Sequence, residues 1–140
     1  GVTEKHVKIA LAKIETDSMV ECIATLPTQS KIVLYSMMLL DQMGQNIFTS
    51  GEVSKIYKEI APAMDLDILT HRRITDLISE LNMLGVINTR VVSRGRYGRT
   101  KEMWFDSNNH KIQDVILSDP RLSAHGLDRM DAAWVKTLFR

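Results

Sequence analysis

The chain has 140 residues, 44% of them hydrophobic and 25% charged, with a formal net charge of +1; this is the make-up of one soluble globular unit with a single core. It holds no run of 18 apolar residues and no apolar segment behind a basic N-terminus, which excludes a membrane span and a signal peptide and makes a cytoplasmic protein the expectation. The start at Gly1 reads as the edge of a piece cut from something longer.

From the N-terminus, Val7, Ala10, Leu11 and Ile14 recur at helical spacing, which predicts an amphipathic helix over Val2 to Glu15 with Thr3 as its cap. A second short helix, about Asp17 to Thr25, stops at Leu26-Pro27, because the residue before a proline is pushed out of helical geometry. It carries Cys22, the lone cysteine, which can form no internal disulfide or thiolate cluster and is expected to be a buried structural thiol. Thr28 or Ser30 then caps a helix so broadly apolar, from Ile32 to Leu40, that it belongs at the centre of the core; Gly44 ends it. A short extended piece, Ile47 to Thr49, leads into a helix capped by Thr49 or Ser50, with Val53, Ile56, Tyr57 and Ile60 as its buried stripe and Glu52 in its first turn. Pro62, Asp65 and Asp67 mark a connector. Thr70 caps the next helix, His71 to Leu84, and Gly85 closes it. Val86 to Val92 and Thr100 to Phe105 are β-rich around a glycine-containing turn, which predicts a β-hairpin. Asn108 to Leu117 and Leu127 to Phe139 are predicted helical, and Ala132, Ala133, Val135, Leu138 and Phe139 supply an apolar surface for docking.

Charge is distributed unevenly along this order. Between Thr70 and Lys101, seven cations (Arg72, Arg73, Arg90, Arg94, Arg96, Arg99 and Lys101) meet only Asp76 and Glu80, a net +5 that leaves −4 for the rest of the chain. Such local clustering is the footprint of a polyanion binder. The order helix, short strand, helix, connector, helix, hairpin is that of a winged helix-turn-helix: mainly α with a small β-hairpin, the third helix presented to a DNA major groove and the hairpin serving as the wing.

On the third helix, Ile74, Leu77, Ile78, Leu81 and Leu84 fall on one face, and Arg72, Asp76, Ser79 and Met83 on the other, flanked by Arg73 and Thr75. Thr70, His71, Arg72 and Arg73 crowd the first turn, where cations oppose the helix dipole and free N–H groups favour a phosphate. The bland alternative is an Arg72–Asp76 pair one turn apart. In the stretch SRGRYGRTKE, Gly95 and Gly98 supply positive φ and close backbone approach, while Arg94, Arg96, Arg99 and Lys101 reach outward; arginine is the residue that enters a narrow minor groove. Tyr97 either stacks on a sugar or base or lies back on the wing, and Trp104 and Phe105 are expected to pack internally. Catalytic signatures are lacking: no HExxH, GxSxG, Walker loop or GxGxxG is present, His6, His110 and His125 lie in separate elements, and Asp65 and Asp67 lack the continuation of a calcium loop.

LTHRRITDLISELNMLGVINTRVVSRGRYGRTKE, Leu69 to Glu102, closely resembles the winged-helix domain of the archaeal origin-recognition and cell-division-control replication initiators. LPTQSKIVLYSMMLL and SGEVSKIYKEI resemble that domain's earlier helices, and EKHVKIALAKIE resembles the end of the helical lid of the family's AAA+ ATPase core. The resemblance implies a lid remnant at 1–25, a winged-helix domain at 26–106 and a helical extension at 107–140 packing on it. It further implies recognition of origin double-stranded DNA by Thr70, His71, Arg72, Arg73, Thr75 and Ser79 on the helix and by Arg94, Gly95, Arg96, Tyr97, Gly98 and Arg99 on the wing, with Lys101 beside them. His71 departs from the glutamine, and Ile68 from the proline, common in the family. The family's ATP and Mg²⁺ site belongs to the ATPase core, so no cofactor and no enzymatic activity is expected of this chain. Family members also help load the minichromosome-maintenance helicase, a second implied partner, and a nucleoid-associated location follows. Two other roles suit the same pattern: a winged-helix transcription regulator, or a protein-interaction module.

Overall fold

The computed structural model describes residues 18–106 and 110–139; the helix expected over Val2 to Glu15 lies outside them. Helix α1 (18–24) ends ahead of Pro27 as expected, anchored by the fully buried Ile23. Cys22 is half-buried rather than buried. Helix α2 (Thr28–Gln42) is the centre of the molecule, with every residue from Ser30 to Leu40 buried. Its start differs from the expectation: Thr28 and Ser30 lie inside the helix and Pro27 stands at the cap position without any side-chain cap bond. The proline ring itself sets the entry geometry, with φ −58°, and Ser30 Oγ is left buried without a hydrogen-bond partner.

Strand β1 (Phe48–Thr49) leads directly into α3 (Ser50–Ala63), capped by a reciprocal Thr49–Glu52 capping box. Pro62, expected in the connector, stands in the last turn of α3. Helix α4 runs His71–Met83. Helices α2, α3 and α4 end in one geometry. Gly44, Asp65 and Gly85 take positive φ, and in each case the following N–H reaches back to a carbonyl of the last turn: Gln45 to Leu40, Leu66 to Ala61, Val86 to Leu81.

Strands β2 (Asn88–Ser93) and β3 (Arg99–Trp104) form the expected hairpin, in antiparallel register from Asn88 opposite Trp104 to Ser93 opposite Arg99. The short extended piece is not isolated: β1 pairs with β3, Phe48 opposite Met103, giving a three-stranded sheet in the order β1-β3-β2. Phe48 is fully buried and its ring lies 6.1 Å from that of Phe105, so Phe105 packs inward as expected.

The C-terminal part contains α5 (His110–Leu117), α6 (Pro120–Ser123), a 3-10 turn (Leu127–Arg129) and α7 (Ala132–Leu138). The single helix expected over Leu127 to Phe139 is therefore broken. Met130 leaves helical geometry at ψ 79°, and Asp131 starts a new helix by accepting a bond from Trp134 N–H at 2.9 Å. Ile112, Ile116, Leu122, Leu127 and Val135 complete the core around α2, and the Tyr35 hydroxyl is shared between the carbonyls of Met130 (3.0 Å) and Leu127 (3.2 Å). Lys31 of α2 meets Asp119 at 2.9 Å, both side chains buried. Burial opposes the charged form of Asp119, but bonds from Lys31 and from the Arg121 side chain and backbone outweigh it and hold the carboxyl down at about 2. Among the described residues no helix is long and apolar enough to cross a membrane.

Candidate nucleic-acid interface

Two elements, α4 and the β2–β3 wing, carry the cationic side chains. Thr70 caps α4, its hydroxyl accepting from Arg73 N–H at 3.3 Å. His71, Arg72 and Arg73 are exposed in the first turn, which contains no acidic residue. Among the described residues no ion pair joins Arg72 to Asp76, so the intrahelical explanation for these cations drops out. Ile74, Leu77, Ile78 and Leu81 form the buried stripe. Leu84, expected with them, is about half exposed because the helix ends one residue earlier. Thr75 and Ser79 are half-buried, and both hydroxyls are engaged within the chain. Thr75 donates to the His71 carbonyl at 2.9 Å, and Ser79 accepts from Lys101 Nζ at 3.4 Å.

The start of α4 is held from behind. Tyr57 of α3 donates its hydroxyl proton to Gln29 Oε1 at 2.6 Å and accepts from Leu69 N–H at 3.1 Å, while Gln29 Nε2 donates to the Asp67 carbonyl at 2.8 Å. The connector is thereby tied to both earlier helices immediately before the Thr70 cap.

In the wing, Arg94 N–H donates to the Gly98 carbonyl at 2.7 Å and Gly98 N–H to the Gly95 carbonyl at 3.1 Å, closing the tip around a 3-10 turn, Gly95–Tyr97. Gly95 and Gly98 adopt φ +62° and +86°, the conformations expected of them. Arg94, Arg96 and Arg99 are exposed and Lys101 is half-buried; the side chain of Tyr97 lies outside the described residues. The bond from Lys101 to Ser79 joins β3 to α4, so helix and wing form one continuous surface.

Arg90 and Glu102 belong to this surface and were not among the expected site residues. Directly opposite each other across the hairpin, they pair at 2.8 Å. Glu102 also faces Arg94 at 3.7 Å, and the Arg90 guanidinium lies 5.4 Å over the Trp104 ring. Their signal in the sequence is the hairpin register, which places residues 90 and 102 side by side once the turn is located. No group of His, Cys, Asp and Glu among the described residues could hold a metal ion. What the arrangement can do is bind an extended polyanion along two joined elements.

Comparison with known proteins identifies the family and the fold. The family described as the CDC6 C-terminal winged-helix domain matches residues 21–115. An ORC1-type DNA replication protein of Methanoregula boonei is 71% identical over 99% of this chain, and one of Methanoculleus marisnigri 68% identical over all of it. The chain spans 33% of the length of each. In structure it is similar to the Aeropyrum pernix ORC1 protein in complex with DNA, with a TM-score of 0.78 and 40% identity over 86% of this chain and 31% of that one.

Proposed function

The chain belongs to the CDC6 C-terminal winged-helix domain family, and from that premise we propose that it binds double-stranded DNA at replication origins as the recognition domain of an initiator. The observation that carries the proposal is the Lys101–Ser79 bond, which couples a cation-rich wing to a helix whose first turn is cationic and free of acid. A similar protein, the Aeropyrum pernix ORC1, is seen in complex with DNA.

In this reading α4 enters the major groove. Its N-terminal N–H groups and Arg72 and Arg73 meet phosphates, and His71 and the Thr70 hydroxyl lie near base edges. Thr75 and Ser79 line the helix side of the footprint with their hydroxyls already occupied. The wing follows the backbone into the adjacent minor groove through Arg94, Arg96 and Arg99, with Gly95 and Gly98 allowing close approach and Tyr97 at the tip. No cofactor and no catalysis is assigned to this chain; ATP and Mg²⁺ would be the business of an ATPase core.

The test is binding of the chain to a labelled duplex across a salt series. Arg73→Ala and Arg99→Ala should each weaken binding on all sequences and reduce the slope of log K against log salt by about one. Salt-insensitive binding, or affinity unchanged in both variants, would refute the reading. A second role, as a surface for helicase recruitment, is favoured by the apolar end of α4, where Met83 is 86% exposed next to Leu84. Retention of purified minichromosome-maintenance helicase by a variant lacking the wing arginines, and its loss in Met83→Asp, would support that role.

A further inference from the structure

Glu102 is anomalous on a surface whose task is to attract phosphate: a carboxylate, only 17% exposed, standing between Arg90 and Arg94. Cross-strand stabilisation of the hairpin accounts for one of its oxygens, Oε1, which takes Arg90 Nε at 2.9 Å and Nη2 at 2.8 Å. It does not account for the other, which faces Arg94 Nη2 at 3.7 Å. Resting on the DNA-binding reading above, we infer that Glu102 is an internal counter-anion of the wing that holds Arg94 back until a sufficiently negative groove displaces it, and so sets how sharply the wing discriminates between duplexes.

The two arginines are held unequally. Arg90 has two close contacts to the carboxylate and the face of Trp104 beneath it. Arg94 has one contact beyond hydrogen-bond length, on a residue whose backbone is pinned to Gly98 at the root of the tip. Arg94 is therefore the one that exchanges. Moving a guanidinium from a carboxylate to a phosphate replaces one anionic partner with another, and the net gain is small where the two potentials are alike. It becomes favourable where the DNA potential is deeper, as in a narrow minor groove. On an ordinary groove Arg94 stays with Glu102, and on a narrow one it moves across. Glu102 thereby converts a general attraction into a response to groove shape.

Glu102→Gln keeps the length of the side chain and an oxygen for Arg90 while removing the charge. With the whole chain and two labelled duplexes of equal length, one carrying an A-tract and one of mixed sequence, this variant should bind the mixed duplex about 3- to 10-fold more tightly. Its salt slope on that duplex should steepen by about one, and affinity for the A-tract duplex should rise less, so discrimination falls. Adding Arg94→Ala should abolish the gain, and Arg94→Ala alone should cost more on the A-tract duplex than on the mixed one, a readout that does not depend on how the glutamine variant folds. The inference is overturned if Glu102→Gln leaves mixed-duplex affinity and slope unchanged, if its gain survives in the double variant, or if Arg94→Ala costs the same on both duplexes. A wild-type chain that binds neither duplex in a salt-dependent way overturns the DNA-binding reading as well, whereas salt-dependent wild-type binding with a silent Glu102→Gln removes this inference alone.

Discussion

The Tyr57 hydroxyl accepts a hydrogen bond from Leu69 N–H at 3.1 Å, one residue before the Thr70 cap, so a buried side chain of α3 fixes where α4 begins. Tyr57→Phe keeps the ring and its packing but strands that N–H and the Gln29 side-chain oxygen Oε1. The expected loss is about 1–2 kcal/mol of stability by chemical denaturation, together with weaker duplex binding, because the first turn of α4 loses its fixed position. Full duplex affinity in Tyr57→Phe would show that the cap alone orients the helix.

The Lys31–Asp119 pair is buried on both sides, so removing one partner leaves an uncompensated charge. Asp119→Asn should cost about 3–5 kcal/mol in a denaturant titration, while replacing both residues by apolar side chains of similar size should cost far less.

The same carboxyl makes stability depend on pH with a defined sign. Its value in the fold, about 2, lies below the ordinary 3.8, so the unfolded chain takes up the proton first as pH falls. Its contribution, about 2 kcal/mol, is complete above about pH 4 and is lost between there and pH 2. Denaturation midpoints measured down that range should fall in wild type and fall less in Asp119→Asn.

Gly98 holds φ +86° and ψ −161°, a region essentially closed to other residues, yet no atom lies within 4 Å of where a Cβ would be. Gly98→Ala should therefore act through the backbone alone, at about 1–3 kcal/mol. Faster amide exchange in β2 and β3, with a weaker grip on duplex and an undisturbed core, is the expected result.

Truncation after Gly126 should be severe. It removes Leu127 and Val135, both fully buried, and both carbonyl acceptors of the Tyr35 hydroxyl. At about 2 kcal/mol for each apolar side chain and about 1–3 kcal/mol for the hydroxyl's lost acceptors, the loss reaches the lower end of an ordinary domain's whole stability. Circular dichroism melting of the truncated chain should show no cooperative transition near that of the full chain.

Much of this molecule is legible in the sequence, because its signals are local. Thr49 and Thr70 cap, Gly44 and Gly85 stop, and the stripes of α3 and α4 are periodic; each of these depends on neighbours within a turn or two, where spacing alone decides geometry. The basic stretch from Arg94 to Lys101 and the glycines of its tip are legible for the same reason, as is the likeness of Leu69 to Glu102 to initiator winged helices. Only tertiary structure decides what depends on distant partners. Phe48 becomes an edge strand through Met103, Tyr57 reaches Leu69 through a turn of chain, Lys31 finds Asp119, and Glu102 takes Arg90 and Arg94 once the hairpin closes. Such contacts join residues separated by eight to about ninety positions, and helical or strand periodicity alone does not encode them. The charge that marks the wing is thus written in the local order of residues, whereas Glu102 meets Arg90 and Arg94 only through the register of two strands.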